Sequence, residues 1–323
     1  MRYLVTGAAG FIGARFVASC NKRAIDVVSV DVKEYFASRH QHRGISFGTI
    51  VDRDELFDWL AQTDQTLDAI VHLGACSDTQ ETNESLMTRL NVSYPQLLWQ
   101  YAVQARIPFI YASSAATYGA GELGFDDDEA RIVDLKPLNL YGVSKKEFDV
   151  WVLEQEQLGN HPPRRVGFKF CNVYGYGENH KGEMASIVLR AFNAIEKQGR
   201  VELFRSHKEN VPDGHQARDF ICVTDVISVL HFALEKPLVR GIYNLGTGCA
   251  RTYLDLVRAT FTALGVPERI IFIDTPKAMR EKYQYFTEAK MDKLRAEGYT
   301  DPFTPLEKGV AEYVRLLKKD RDK

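Results

Sequence analysis

Cysteine is scarce and unpaired in this chain. The five residues, Cys20, Cys76, Cys171, Cys222 and Cys249, are dispersed without a C-x-x-C pair. An odd, scattered set excludes a disulfide framework and a cysteine-rich zinc site. The 8 histidines show no H-E-x-x-H or comparable spacing, so no metal site is expected. No run of about 18 apolar residues occurs, which excludes a membrane-spanning helix. A leader is missing as well: Met1-Arg2-Tyr3-Leu4-Val5-Thr6 enters a strand-like run directly, so a cytoplasmic location is expected. Charge of one sign is nearly absent. A net charge of −2 gives no global attraction to nucleic acid or to an anionic membrane, so any anionic ligand must meet a local cluster of donors.

What is present suits a folded chain of two lobes: 323 residues, 45% apolar and 26% charged. Short apolar runs at 2–6, 26–30, 45–50, 68–73, 108–112 and 165–171 read as strands. Between them, amphipathic stretches at 11–22, 54–61, 84–105 and 139–158 read as helices. This alternation predicts an α/β fold, a Rossmann-type doubly wound parallel sheet covered on both faces. After Cys171 the pattern loosens over 172–182. A helix is then expected at 183–197, a strand at 202–204, a loop at 205–217, a strand at 219–223, a helix at 225–235 and a strand at 241–245. A helix at 252–264, a strand at 269–273 and two further helical stretches complete the chain. The expected division is a dinucleotide-binding domain over 1–171, with 219–247 returning to it. A smaller, mixed α/β substrate domain takes 172–218 and 248–323.

Gly7-Ala8-Ala9-Gly10-Phe11-Ile12-Gly13 joins the first strand to the first helix. Glycines there permit a tight turn and close approach to a pyrophosphate, which the helix N-terminus would hold with unpaired N–H groups. Asp31 ends the second strand, where an acid commonly accepts from an adenosine ribose. A carboxylate favours NAD, yet Lys33, Arg39 and Arg53 lie near in sequence and could neutralise the extra phosphate of NADP, so charge alone leaves the choice open. Further on, Tyr141-Gly142-Val143-Ser144-Lys145 sets a phenol and an ammonium on one helical face. A phenol is a poor base at neutral pH, and a neighbouring ammonium would favour its ionised form. Ser114, at a strand's carboxyl end, can bond a substrate oxygen that changes between alcohol and carbonyl.

Taken with Asn91 and Asn172-Val173-Tyr174-Gly175, these motifs resemble the extended short-chain dehydrogenase/reductase family over nearly the whole chain. More narrowly, HLGACSDT, YASSAATYG, HKGEMAS, ARDFICVTDV, YNLGTG and KYQYFTEAKMDKLRAEGY resemble its branch that epimerises C6 of a nucleotide-linked heptose for lipopolysaccharide. The resemblance implies a redox-neutral reaction on a nucleotide sugar, with NADP bound through Gly7, Gly10, Phe11, Ile12, Gly13, Asp31, Val32, Arg39, Arg53, Leu73, Gly74, Ala75, Cys76, Asn91, Tyr141 and Lys145. It further implies Ser114, Tyr141, Lys145 and Lys181 as catalytic groups. Substrate contacts would come from Ser114, Asn172, Lys181, Glu183, Arg190, Phe204, Arg218 and Tyr283. It also implies a homo-oligomer, with the helices at 84–105 and 139–158 as candidate contacts.

Departures from the family touch the substrate end. Glu183 and Arg190 stand where the family typically has a serine and a histidine, and the stretch 205–217 is longer than its loop. Dehydratases of the family carry an Asp-Glu pair where this chain has Ala115 and Ala116, so elimination lacks its acid and base. Epimerisation at C4 of another sugar would share Ser114, Tyr141 and Lys145 without needing Lys181. A non-catalytic cofactor sensor commonly loses the tyrosine or the lysine, and both are here.

Overall fold

The computed structural model describes residues 1–62, 66–236, 240–280 and 284–321, apart from the side chains of residues 278 and 279. In chain order the first half runs β1 (Arg2–Thr6), α1 (Phe11–Lys22), β2 (Asp26–Asp31), α2 (Lys33–Ser38), β3 (Thr49–Asp52), α3 (Leu56–Gln62) and β4 (Ala69–His72). It continues with α4 (Glu84–Met87), α5 (Tyr94–Ala105), β5 (Phe109–Ser114), α6 (Leu140–Gln157) and β6 (Arg165–Phe170). The second half contains β7 (Asn172–Tyr174), α7 (Ile187–Gln198), β8 (Val201–Phe204), β9 (Ala217–Cys222), α8 (Val223–Glu235) and β10 (Gly241–Leu245). After these come β11 (Ala250–Thr252), α9 (Tyr253–Leu264), β12 (Ile270–Ile273) and a C-terminal helix, Leu306–Arg321.

Seven strands form one parallel sheet in the order β10-β6-β5-β4-β1-β2-β3. Successive side chains of a strand face opposite layers. Tyr3 and Val5 of β1 enter a core with Phe16, Val17 and Ile227, while Leu4 joins Val28, Ile70 and Trp99 on the other face. Burial on both faces accounts for the almost unbroken apolar run of β1. From β1 the chain winds one way to β2 and β3; from β4 it winds the other way. The crevice at the carboxyl ends of β1 and β4 is therefore the topological switch point, where such sheets bind ligands.

The second lobe has its own core of Val188, Phe192, Leu256, Val310 and Tyr313, bordered by two small sheets, β11-β9-β7 and β12-β8. After building β7 to β9 the chain returns, and β10 pairs with β6 at the rim of the large sheet. Among the described residues no helix is long and apolar enough to cross a membrane.

Several elements differ from expectation, each for a local reason. The strand expected at 45–50 forms at Thr49–Asp52, because Gly48 turns the chain with φ 61° and sits so close to β2 that a Cβ would lie 2.2 Å from the Val27 carbonyl oxygen. The helix expected from residue 183 begins at Ile187, capped by Ser186, since Gly182 takes φ 54° inside a 3-10 turn, Asn179–Met184. The short strand β7 lies within the stretch read as loose, and β9 starts at Ala217, before residue 219. The long helix expected over 84–105 contains a π-turn at Thr88–Ser93 between α4 and α5.

Trp99 shows how firmly α5 is held: it is fully buried, meets Phe109 and Trp151 edge-on at 5.8 Å, and donates its indole N–H to the Asn160 carbonyl at 3.0 Å. Trp99→Ala is expected to destabilise the protein by about 3–5 kcal/mol, measured by guanidinium unfolding; a loss below about 1 kcal/mol would contradict this packing.

Candidate active site

The switch-point crevice opens into a cleft of about 870 Å³ that spans both lobes. One wall is the glycine turn. Gly7 has φ 66°, and a Cβ there would stand 2.6 Å from the Gly74 nitrogen; one at Gly13 would stand 2.0 Å from the Gly7 oxygen. Only glycine lets the turn, helix α1 and the chain after β4 meet this closely. The N-cap of α1 is Gly10, with no side-chain cap and no acid in the first turn. Its first N–H groups and the positive end of its dipole are left for an anion. This cradle, which any Cβ would fill, fits a dinucleotide pyrophosphate.

At the far end Asp31 accepts from the Ala9 N–H at 3.0 Å and the Val32 N–H at 2.9 Å. Burial pushes its carboxyl up, while those two donors and Arg39 pull the other way. Arg39 donates to the Ala9 carbonyl oxygen and lies over the Tyr35 ring at 4.2 Å. Arg53 also lines this end, close to Asp54 at 3.5 Å. Leu73, Gly74, Ala75 and Cys76 line the cleft beside the turn. Asn91 and Val32 do not. Asn91 sits in the π-turn behind the wall, accepting from the Cys76 N–H at 2.8 Å and donating to the Cys76 carbonyl and Ser144 Oγ, both at 2.9 Å. It ties the cleft wall to α6, a use of a π-turn that recurs at functional sites.

The floor carries Ser114, Tyr141 and Lys145. Asn139 caps α6 by accepting from the Gly142 N–H at 2.8 Å, and Gly142 lets the helix press against the turn after β5, since a Cβ there would lie 2.8 Å from the Ala116 oxygen. Ser114 is thereby hydrogen-bonded to Tyr141. Burial pushes the Tyr141 phenol up, and that Ser114 hydrogen bond is the group that lowers it. Lys145 donates to the Ala112 carbonyl at 2.9 Å, and burial brings its ammonium down to about 8. Sequence reasoning expects the lysine to ease ionisation of the phenol; here the Ser114 hydroxyl does so, and the lysine is bound to backbone.

The second lobe supplies Asn172, Lys181 and Glu183 to the same cleft. Lys181 lies 5.8 Å from the Phe11 ring, and burial lowers its ammonium despite the neighbouring Glu178. Arg190 stands outside, 4.0 Å from Glu183 and exposed. Arg218 is buried behind the cleft, donating to the Ala217 carbonyl at 2.9 Å and to that of Gln284, with its guanidinium 5.5 Å from the Tyr253 ring; Tyr253 itself lines the cleft. Phe204, at the end of β8, is half-buried and outside the lining. Tyr283 lies outside the described residues. Sequence reasoning missed Tyr35, Thr6 and His72. Thr6 Oγ1 and His72 Nδ1 meet at 2.7 Å beneath the glycine turn, and the Gly74 N–H donates to Thr6 Oγ1 at 3.2 Å. Their facing positions at the ends of β1 and β4 are a signal that strand pairing alone would have given. Among the described residues no cluster of His, Cys, Asp and Glu could hold a metal.

The glycine turn, Asp31 and the floor of Ser114, Tyr141 and Lys145 meet in one cleft at the switch point of the parallel sheet. The chain belongs to the NAD dependent epimerase/dehydratase family, whose model matches residues 3–246. It is 44% identical to an ADP-L-glycero-D-manno-heptose-6-epimerase of Nitratidesulfovibrio vulgaris, covering 97% of each chain. A relative of the same name from Fusobacterium nucleatum is 42% identical, covering 98% of each. The crystal structure of the Helicobacter pylori ADP-L-glycero-D-manno-heptose-6-epimerase superposes with a TM-score of 0.77 at 26% identity, covering 98% of this chain and 96% of that one.

Two outcomes test this geometry. Gly7→Ala combines a positive φ with contact against backbone and is expected to destabilise the fold by about 2 kcal/mol or more, read as a lower denaturant midpoint. Lys145 releases its proton at about 8 in the folded chain but at the ordinary 10.5 when unfolded. Below about 8 both states hold the proton and the burial penalty is complete; between the two values the unfolded state binds more protons, so stability rises with pH. Lys145→Met, which carries no such penalty, is expected to gain on the wild type at neutral pH, with the gain shrinking by at most about 3 kcal/mol as pH rises through that window. Denaturant midpoints across the window check it; a constant difference would contradict the buried ammonium.

Proposed function

We propose that this protein interconverts ADP-D-glycero-D-manno-heptose and ADP-L-glycero-D-manno-heptose by transient oxidation and re-reduction of C6, for lipopolysaccharide core synthesis. The observation that carries the reading is the meeting of Lys181 with Ser114, Tyr141 and Lys145 in one cleft, in a chain whose near-full-length relatives bear that name. Proton abstraction alone cannot easily invert this carbon, since its C–H is not next to a carbonyl. When bound, the nicotinamide group supplies reversible hydride acceptance at that carbon.

The chain's own groups manage the oxygen. Ser114 bonds it, and Tyr141 exchanges its proton in one orientation of the sugar. Lys181, across the cleft on the second lobe, does so in the other. Lys145 holds the nicotinamide-ribose end, and the α1 N-terminus takes the pyrophosphate. The cofactor of choice is NADP: Arg39 and Arg53 flank Asp31 and offer cations to a 2′-phosphate. Asn172 and Glu183 contact the sugar nucleotide, and the enzyme works in the cytoplasm as a homo-oligomer. The methyl groups of Ala115 and Ala116 have no proton to give, which disfavours dehydration.

The test is NMR of the purified protein with either ADP-heptose diastereomer, watching the other appear. Lys181→Ala and Tyr141→Phe are each expected to lower kcat by about 10²-fold or more. Near-wild-type turnover of Lys181→Ala at saturating substrate would refute the two-base assignment. No conversion of either diastereomer, with bound cofactor verified by mass spectrometry after denaturation, would sink the epimerase reading.

A further inference from the structure

Helix α6 carries a third polar group on the face of Tyr141 and Lys145. Asp149 follows Lys145 by one more four-residue step and is entirely buried. Its carboxylate receives three hydrogen bonds: from Lys169 Nζ at 2.6 Å, Ser113 Oγ at 2.7 Å and Tyr111 Oη at 3.2 Å. Lys169, on β6, is equally buried and sits beside Ser113 in the register of β5 and β6. Its ammonium also donates to Thr117 Oγ1 at 2.8 Å, and the Thr117 hydroxyl donates to the Ser114 carbonyl at 2.8 Å. Ser114 is thus gripped from both sides, through the neighbouring Ser113 side chain and through its own carbonyl. Lys145 holds Ala112 on the same strand end.

A buried ion pair contributes little net stability, because desolvation offsets the attraction. A well-packed apolar pair would hold the layers together as firmly. The arrangement needs another reason, and the hydrogen bonds point to one: every donor on Asp149 belongs to the strand end beneath the site or to the lysine that braces it.

We propose that Asp149, paired with Lys169, is a positioning residue that aligns the Ser114 end of β5 with the Tyr141–Lys145 face of α6. Asp149 acts on Lys145 from its own helix and His72 from β4; Tyr111 on β5 and Lys169 on β6 bond to Asp149, and Cys76, after β4, acts on Tyr141. Of the groups acting on it, Asp149 is the one that raises Lys145 against the effect of burial. Removing that charge leaves two buried ammonium groups with none between them.

The kinetic arm rests on the epimerase reading; the titration arm does not. Asp149→Asn is expected to cut kcat about ten- to a hundredfold with KM within about threefold, since alignment is lost without loss of binding groups. NMR of 13C-labelled lysine side chains, with Lys145→Met assigning the resonance, should show Lys145 titrating well below the wild type's value of about 8 in Asp149→Asn. Asp149→Asn/Lys169→Met leaves one buried ammonium, Lys145, where the single variant leaves two; its thermal midpoint should lie nearer the wild type than that of the single variant, with kcat still low. If the single variant does not fold, the double variant's kcat decides alone. Wild-type kcat in the double variant, or an unmoved Lys145 titration together with wild-type kcat in the single one, overturns the proposal. Wild-type protein that converts no sugar nucleotide, while its Lys145 still responds to Asp149→Asn, defeats the epimerase reading and leaves this one standing.

Discussion

Two crossings of the backbone must nearly touch at the switch point, and the whole site follows from that contact. A methyl group on Gly7 would enter the chain after β4, and one on Gly13 would enter Gly7 itself. Because neither exists, α1 starts directly above the seam between β1 and β4, with its free N–H groups turned into the cleft. The direction in which a pyrophosphate would lie in the proposed site is decided by this approach of main chain to main chain. Thr6 and His72 hold the seam from below, and burial with the nearby Lys145 keeps the imidazole neutral.

Much of this was legible from residue order. The alternating runs define the parallel sheet, and the glycine turn, Asp31, Ser114, Tyr141 and Lys145 are recognisable because each depends on local spacing: a turn, a strand end, a helical repeat of four. What escaped depends on meetings between distant segments. Arg218 reads as a clamp for a diphosphate, yet tertiary packing turns its guanidinium onto backbone carbonyls. Asn91 reads as a cofactor contact, yet the π-turn directs it to Cys76 and Ser144. Gly48 and Gly182 displace β3 and α7 from their expected starts because a positive φ overrides the apolar pattern. Asp149 was within reach of the same reasoning that found Lys145, one helical step further, and only its partner on β6 was out of sight.

The two groups proposed to handle protons sit on different lobes. Tyr141 is fastened to the sheet by a capped helix and a buried network, whereas Lys181 is carried by a 3-10 turn with a glycine at positive φ beside it. That turn is not loose. Glu178, fully buried, accepts from the Ser186 N–H at 2.7 Å and from its hydroxyl, tying the turn to the start of α7.

The late return of β10 to the large sheet has a consequence for synthesis. Until Gly241–Leu245 leaves the ribosome, β6 is an open rim offering unpaired amides and carbonyls while the rest of its sheet is already complete. For the time needed to translate some seventy intervening residues, the nascent chain bears a sticky border that only its own later segment can seal.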